Sequence, residues 1–270
     1  RRDHLIRLRD IEPRYPWAEF ENTPRIEPSA AGSWENYCKA AVQGINDRYG
    51  VDSFPGMDLL VEGNIPVAAG LSSSSALVVA CALAYLRVRG MALDEDVSRL
   101  ELASLLAEAE HYVGTRGGGM DQAVILLGRK GRACKIDFFP LRIEGVPLPP
   151  GCVFVVCDSL VKAQKTGNAL HRYNAGPLCC RLICALVEKK AQEEYGDEIA
   201  IERLGDLWQG HLCLTDAEVE DLVARTFPRE TMSLAEAARA LGVSEETVRR
   251  RWLGDLAEPA EGFALQARAR

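Results

Sequence analysis

The stretch from residue 63 to residue 76 is the part of the chain best suited to bind an anion. It reads Gly-Asn-Ile-Pro-Val-Ala-Ala-Gly-Leu-Ser-Ser-Ser-Ser-Ala, so small residues lead into four serines at the start of an apolar segment. Small residues let a backbone approach a ligand closely, and the N–H groups and dipole of a helix N-terminus favour phosphate. Serine hydroxyls add hydrogen-bond donors, or a ligand for Mg²⁺. The lysine of the common Gly-x4-Gly-Lys-Ser/Thr loop is absent, and a helix cap of small residues also fits the pattern.

A second group with chemical potential lies at residues 117–122, which read Gly-Gly-Gly-Met-Asp-Gln. The three glycines clear space around the backbone, and Asp121 follows them at the head of an expected strand. An aspartate in such a place can accept a proton from a substrate hydroxyl or hold a metal ion. Taken alone, the pattern is equally typical of a tight turn.

Hydrophobic periodicity predicts the elements that position these residues. The predicted strands cover residues 1–13, 57–62, 123–127, 132–138 and 152–157, and the predicted helices cover 34–49, 76–88, 97–112 and 178–195. Ser33 is the expected N-cap of the first helix, and the tail from about residue 199 is mostly helical. The prolines at 147–150 mark a boundary, because they continue neither a helix nor a central strand, and predict domains at 1–148 and 149–270. Irregular alternation of strands and helices favours an α+β fold.

Composition limits the classes of protein to which the chain can belong. Of its 270 residues 47% are hydrophobic, and the net charge is 32 − 39 = −7. These values exclude a disordered chain and indicate neither a nucleic-acid nor a membrane partner. The longest apolar run, Ala76 to Leu86, is too short for a bilayer, and no signal-peptide pattern opens the chain. Nine cysteines, an odd number in mostly apolar surroundings, predict buried reduced thiols and a cytoplasmic location; Cys179, Cys180 and Cys184 lack the spacing of a metal site.

Together, the serine run and the Gly-Gly-Gly-Met-Asp-Gln segment resemble the second motif and the catalytic-aspartate segment of the GHMP kinase superfamily, and within it the galactokinase family. Residues 34–37 (Trp-Glu-Asn-Tyr) resemble the family's Trp-x-Asn-Tyr helix start, and Glu110-His111 resembles its Ala-Glu-His segment. Residues 157–161 and Tyr173-Asn174 resemble its Asn-Ser-x-Val and Tyr-Asn signatures. The serine run and triple glycine are similar to the branch that contains N-acetylgalactosamine kinases. The resemblance implies a two-lobed α+β fold, an N-terminal lobe like domain 2 of ribosomal protein S5 followed by a second α+β lobe, which this chain would hold incompletely.

The resemblance also implies a function and a set of site residues. It implies an ATP-dependent sugar 1-kinase that uses Mg²⁺ and transfers the γ-phosphate of ATP to the anomeric hydroxyl of galactose or a related sugar. The residues that would bind the triphosphate are Gly70, Leu71, Ser72, Ser73 and Ser74. Trp34 would lie near the adenine, and Ser74 and Glu110 would bind Mg²⁺. Asp121 would be catalytic, and with Gly118 and Tyr173 it would contact the sugar; a solvated acid at a helix end is the other interpretation of Glu110.

Three departures from the family pattern qualify the expected activity. The first motif, Arg-x-Asn-Leu-x-Gly-Glu-His-x-Asp, is not found, and neither is the glycine-rich third motif. Tyr173-Asn174 is followed by Ala-Gly-Pro where the family has x-Arg. We therefore expect a fragment of a longer reading frame with impaired activity, or alternatively a degenerate paralogue that senses sugar.

A rival hypothesis from another class comes from residues 233–251, which resemble a helix-turn-helix with Gly242 at the turn and arginines on the second helix. DNA binding would then be the function, although Glu245 and Glu246 on that helix repel phosphate.

Overall fold

The computed structural model describes residues 3–50, 53–138, 140–157, 170–196, 198–209 and 212–269. The chain forms two compact units, Arg1–Leu170 and His171–Arg270. The units divide after residue 170, whereas the prolines predict a domain boundary after residue 148. The elements of the first unit are β1 (Leu5–Asp10), β2 (Ala18–Glu21), α1 (Glu35–Tyr49), β3 (Met57–Val61), α2 (Ser73–Val88), α3 (Arg99–Ala109), a 3-10 helix (Glu110–Val113), α4 (Met120–Leu127), β4 (Arg132–Asp137) and β5 (Arg142–Pro147).

A mixed sheet forms the base of the first unit. β1 pairs antiparallel with β2 and parallel with β3, which gives the order β2-β1-β3. Alternation along β1 buries Ile6 and Leu8 and turns Arg7 outward, as expected for a strand with one covered face. Because β1 and β3 are parallel, both strands end at the same edge, where Asp10 lies opposite Val61. Loops that leave this edge lead into the candidate site.

Four helices of the first unit share one apolar core with the sheet. Its members include the almost fully buried Ile6, Leu8, Ile45, Val78, Tyr85, Leu102, Leu106 and Ala123. Gly44 on α1 shows why the helices approach closely, since a Cβ atom there would lie 2.7 Å from the Cβ of Ala109 on α3. The prediction of Ser33 as N-cap is wrong: Trp34 occupies that position with helical backbone angles and makes no side-chain cap.

A buried ring of hydrogen bonds ties α1 and α2 to the segment after β2. The Tyr85 hydroxyl donates to Asn46 Oδ1 at 2.7 Å, and Asn46 Nδ2 donates to Asn22 Oδ1 at 2.9 Å. Asn22 Nδ2 in turn donates to the Tyr85 oxygen at 2.9 Å and to the Pro55 carbonyl at 3.0 Å. The three side chains are almost completely buried, so each finds in the others the partners that water would otherwise supply.

Two predicted strands are corrected by the structure. Residues 123–127 belong to α4, because Gly119 takes a left-handed conformation (φ +82°) that starts a helix, and a short apolar run does not distinguish strand from helix. Residues 152–157 form no strand, and Val153 to Val156 are 75–85% exposed. The buried interpretation of this run is wrong, since none of the described strands pairs with it. β2 and β5 were not predicted.

The second unit is helical. Its elements are α5 (Leu170–Tyr195), a 3-10 helix (Leu204–Trp208), α6 (Asp216–Thr226), α7 (Leu234–Leu241), α8 (Glu245–Val248), a π-helix (Arg249–Leu253) and α9 (Gln266–Ala269). α5 continues through Pro177, so it begins earlier than the predicted helix at 178–195. Thr215 and Ser233 start α6 and α7 with capping boxes, in which each hydroxyl accepts from the backbone three residues later.

The cysteines are not uniformly buried, so the prediction of buried thiols is wrong for part of them. The buried ones are Cys38, Cys81, Cys179 and Cys184. Cys152, Cys157, Cys180 and Cys213 are exposed, and Cys134 is half-buried. Within the described ranges, no three His, Cys, Asp or Glu side chains group as a metal site. None of the helices in the described part of the chain is long and apolar enough to cross a bilayer.

Candidate functional site

The N-terminus of α2 presents the serine run. α2 begins at Ser73, and Ser72 at the N-cap has a left-handed backbone (φ +59°) and no side-chain cap. Gly70 just before it also has a positive φ of +74°. The N–H groups of the first helical turn have no partner within the helix, and here no capping side chain takes them up. This is the arrangement that binds phosphate at helix N-termini.

A cavity of about 750 Å³ opens beside this helix start. Its wall contains Trp34 and the residues predicted to bind triphosphate, namely Gly70, Leu71, Ser72, Ser73 and Ser74. Trp34 is 6% exposed, stacks on Tyr15 with ring centroids 5.5 Å apart, and donates its Nε1–H to the Pro16 carbonyl at 2.9 Å. The structure therefore brings the predicted adenine and phosphate residues to one cavity, whose volume is within the range of small-ligand sites.

The fourth serine makes the contacts that join the predicted carboxylates. Ser75 is 2% exposed, and its Oγ lies 3.2 and 3.3 Å from the two carboxylate oxygens of Glu110. The same Oγ lies 3.5 Å from Oδ2 of Asp121. The sequence predicts Ser74 and Glu110 as ligands of Mg²⁺ and does not single out Ser75. Helical spacing could have found it, because Ser75 shares a face of α2 with the buried residues Val78 and Val79.

Glu110 is a buried acid and not a solvated one. It is 9% exposed and is the first residue of the 3-10 helix that follows α3. Besides Ser75, the amide of Gln122 donates to its carboxylate. The Thr115 hydroxyl donates to its backbone carbonyl at 3.3 Å. The interpretation of Glu110 as a solvated helix-end acid is therefore wrong. Burial of a carboxylate costs free energy unless hydrogen bonds compensate for the lost water, and these contacts provide them.

Asp121 reaches the site from the first turn of α4. It is half-buried, and the glycines before it allow the helix to start where it does. A Cβ atom on Gly119 would lie 2.8 Å from the Cβ of Ala107 on α3, so a glycine is needed for the close approach of the two helices. Gly118 has open space around it, which leaves room for a ligand beside Asp121.

The donor atoms in this site suit a hard divalent cation. Glu110 and Asp121 contribute carboxylate oxygens, and Ser74 contributes a hydroxyl oxygen at the start of α2. Mg²⁺ prefers oxygen ligands and commonly takes one or two carboxylates together with substrate phosphates. The residues present therefore fit Mg²⁺ bound between the protein and a nucleotide.

The loop between the 3-10 helix and α4 carries charge next to the site. Partial desolvation lowers the pKa of His111 from its ordinary value of 6.5, and the positive charge of Arg116 lowers it further. Glu108 and a backbone hydrogen bond with Gly117 act in the opposite direction. The net shift of the His111 pKa is downward, and Arg116 supplies the positive charge of this loop.

The remaining predicted residues lie apart from these groups in the sequence. Tyr173 and Asn174 are half-buried on α5 in the second unit, and the contact of Tyr173 with sugar stays a prediction. Residues 158–161 of the Asn-Ser-x-Val signature lie outside the described residues. The predicted helix pair is present as α7 and α8, with Gly242 in a left-handed turn between them. Its second helix has only four residues before the π-helix.

Comparisons with known proteins place these features in a family context. Residues 36–129 match the family described as GHMP kinases N terminal domain. Galactokinase of Dictyostelium discoideum is 32% identical over 241 residues, which cover 88% of this chain and 46% of that protein. Galactokinase of Candida parapsilosis is 26% identical over 261 residues, covering 88% of this chain and 51% of the relative. The chain thus spans about half the length of these relatives.

A solved structure supports the same fold. Lactococcus lactis galactokinase in complex with galactose matches with a TM-score of 0.60 and 23% identity, over 92% of this chain and 57% of that one. This likeness confirms the predicted α+β fold. The comparisons give no support to the helix-turn-helix hypothesis.

Proposed function

Because the chain belongs to the galactokinase family of the GHMP kinase superfamily, we propose that it carries the phosphoryl-transfer site of an ATP-dependent sugar 1-kinase. The reaction moves the γ-phosphate of ATP to the anomeric hydroxyl of galactose or a related sugar. One observation carries the proposal: at the first turn of α2, Ser75 contacts both Glu110 and Asp121, and the serines before it line the cavity with Trp34.

The nucleotide occupies the cavity beside α2. Gly70, Leu71 and the serines Ser72, Ser73 and Ser74 surround the triphosphate with backbone N–H groups and hydroxyls. Trp34 lies near the adenine, where its packing against Tyr15 keeps the indole in one orientation. Binding at a helix N-terminus stabilises the negative charge of the phosphates through the helix dipole.

The carboxylates of Glu110 and Asp121 have separate roles in the transfer. Glu110 and Ser74 would hold Mg²⁺, which when bound would neutralise charge on the transferring phosphoryl group. Asp121 accepts the proton of the anomeric hydroxyl as that oxygen forms its bond to the γ-phosphorus and the bond to the leaving ADP oxygen breaks. Gly118 and Tyr173 contact the sugar and orient it, because phosphoryl transfer depends mainly on position and charge.

The activity of the 270-residue chain alone is expected to be impaired. Its sequence lacks the arginine-containing first motif, and an arginine at the transferring phosphoryl group contributes about 10³–10⁵-fold in other enzymes of this chemistry. Arg116 is exposed on its loop and is a weak substitute. The odd number of cysteines, nine in all, favours a reducing compartment, so we place the protein in the cytoplasm.

A coupled ADP-release assay on the purified chain tests this expectation with galactose, N-acetylgalactosamine and arabinose. We expect sugar-dependent turnover far below about 1 s⁻¹, a rate within the ordinary range of enzymes. Turnover near that rate would show that residues of this chain replace the missing motif.

Asp121→Asn tests the mechanism in a protein that also contains the first and third motifs. The substitution should lower kcat at least about 100-fold with little change in ATP affinity, because a positioned proton acceptor contributes about 10²–10⁴-fold and touches the sugar. ³¹P–¹H coupling in the product identifies the phosphorylated oxygen, which should be the anomeric one of an α-sugar 1-phosphate. Near-normal turnover of the variant, or phosphate on the primary C6 hydroxyl, would contradict the proposal.

A further inference from the structure

The four serines at the start of α2 divide into two groups with different surroundings. Ser72, Ser73 and Ser74 line the cavity, whereas Ser75 is not part of its wall. The next position along a helix turns the side chain by about 100°, which directs Ser75 toward the α3–α4 side of α2. There its hydroxyl meets Glu110 and Asp121. Its burial of 98% separates it from the ligand-facing serines.

Glu110 receives hydrogen bonds from two different helices. The Ser75 hydroxyl contacts its carboxylate from α2, and the Gln122 amide donates to Oε2 from α4. Both donors are nearly inaccessible to water, at 2% and 3% exposure. Both are also neutral, so they fix the direction of the carboxylate without cancelling the charge that a cation requires. Hydrogen bonds of this kind around metal ligands orient the ligand and tune the affinity of the site.

We propose that Ser75 and Gln122 are positioning residues for the divalent-cation site, which hold Glu110 in the orientation that binds the metal. Ser75 also fixes the separation of Glu110 from Asp121, because its single oxygen is in contact with both carboxylates. Neither residue is itself a metal ligand. This inference rests on the proposed function, since it takes Glu110 as a ligand of Mg²⁺.

Metal binding to the purified chain tests the proposal without an activity assay. Mn²⁺ replaces Mg²⁺ as a probe visible to electron paramagnetic resonance, and it is titrated in the presence of ADP. Ser75→Ala and Gln122→Met should each raise the Kd for Mn²⁺ about 10–100-fold, the usual effect of losing a hydrogen bond to a metal ligand. Ser75→Thr keeps the hydroxyl and should therefore keep a Kd for Mn²⁺ close to that of the parent chain.

Ser104→Ala is the matched control. Ser104 also lies on a helix of the first unit, but it is exposed, and its hydroxyl donates to the Leu100 carbonyl at 3.2 Å. Its removal should leave the Kd for Mn²⁺ unchanged. Thermal unfolding of every variant is measured in the absence of metal, so that a loss of stability is separated from a loss of affinity.

The outcomes separate this inference from the proposed function. An unchanged Kd in Ser75→Ala, with or without a lower Tm, would overturn the positioning role and leave only a structural one. Equal losses in Ser75→Ala and Ser75→Thr would also overturn it, because the hydroxyl would then not be the group that matters. If Glu110→Gln binds Mn²⁺ as tightly as the parent chain, Glu110 is not a ligand, and that result contradicts the proposed function itself.

Discussion

Removing one oxygen atom from the buried ring of Asn22, Asn46 and Tyr85 should measurably destabilise the first unit. Tyr85→Phe leaves the aromatic ring in place and deletes the hydroxyl, which both donates to Asn46 and accepts from Asn22. Asn22 keeps its bond to the Pro55 carbonyl, so its amide stays partly satisfied. Asn46 Oδ1 loses the donor that the hydroxyl provides, in a place that is 5% exposed.

The expected cost follows from this difference between the two asparagines. A buried acceptor left unsatisfied costs about 1–3 kcal/mol. The hydrogen bond that Asn22 loses to Tyr85 adds only a fraction of the usual ~1 kcal/mol, because the same amide still donates to Pro55. We therefore expect a fall of about 2 kcal/mol in the free energy of unfolding of the first unit. This is a large share of the total for a typical domain, which is about 5–15 kcal/mol.

Hydrogen exchange followed by mass spectrometry is the suitable assay, because peptides from α1 and α2 report on the first unit without a contribution from the second. The exchange free energy of these peptides, measured in increasing urea, should fall equally in both helices. A double-mutant cycle with Asn46→Leu should give a coupling of about 1 kcal/mol or more, since the two residues share one hydrogen bond. A loss below about 0.5 kcal/mol would mean that water satisfies Asn46 and would refute the argument.

Two further perturbations follow from the structure. Gly119→Ala should lower the free energy of unfolding by about 3 kcal/mol, because the position has a positive φ and the new Cβ would lie 2.8 Å from the Cβ of Ala107. Urea denaturation measures this loss. Gly118→Ala is the control, since a Cβ there meets open space, and it should cost under about 1 kcal/mol. Burial raises the pKa of the Cys184 thiol from its ordinary value of 9.0 to about 11. The folded state thus holds this proton more tightly than the unfolded state. The contribution of Cys184 to the stability of the second unit should therefore be fully present below pH 9 and be lost as the pH rises toward 11. Replacing Cys184 by valine should flatten this decline in urea midpoints, and an unchanged slope would exclude Cys184 as its source.

The parts of the site that depend on local chemistry were predictable from the sequence. The helix over α1 follows from the spacing of its apolar residues. The serine run and the glycines before Asp121 have few alternative uses when they occur in one chain. Ser75 was missed because its role depends on a contact with Glu110, 35 residues away in sequence. The identity of four adjacent serines does not tell which of them faces the cavity and which faces the acids.

The errors in the fold have a common physical origin. Residues 123–127 and 152–157 are short apolar runs, and such runs have no periodicity that separates a strand from a helix or from an exposed segment. The first is helical because Gly119 starts a helix that packs on α3. The second is exposed because strand formation requires a partner, which is a property of the tertiary structure and not of the run itself.

The parallel pairing of β1 with β3 also favours one order of folding in the first unit. The residues of β1 and β2 that pair are about 10–16 positions apart, whereas β1 and β3 are separated by about 50, with α1 in the interval. The longer closure costs about 1 kcal/mol more in chain entropy, roughly two doublings of loop length. We therefore expect the β1–β2 hairpin and α1 to form first, from local contacts. We expect β3 to complete the sheet once α1 has shortened the interval that this pairing must close, and α2 follows β3 along the chain.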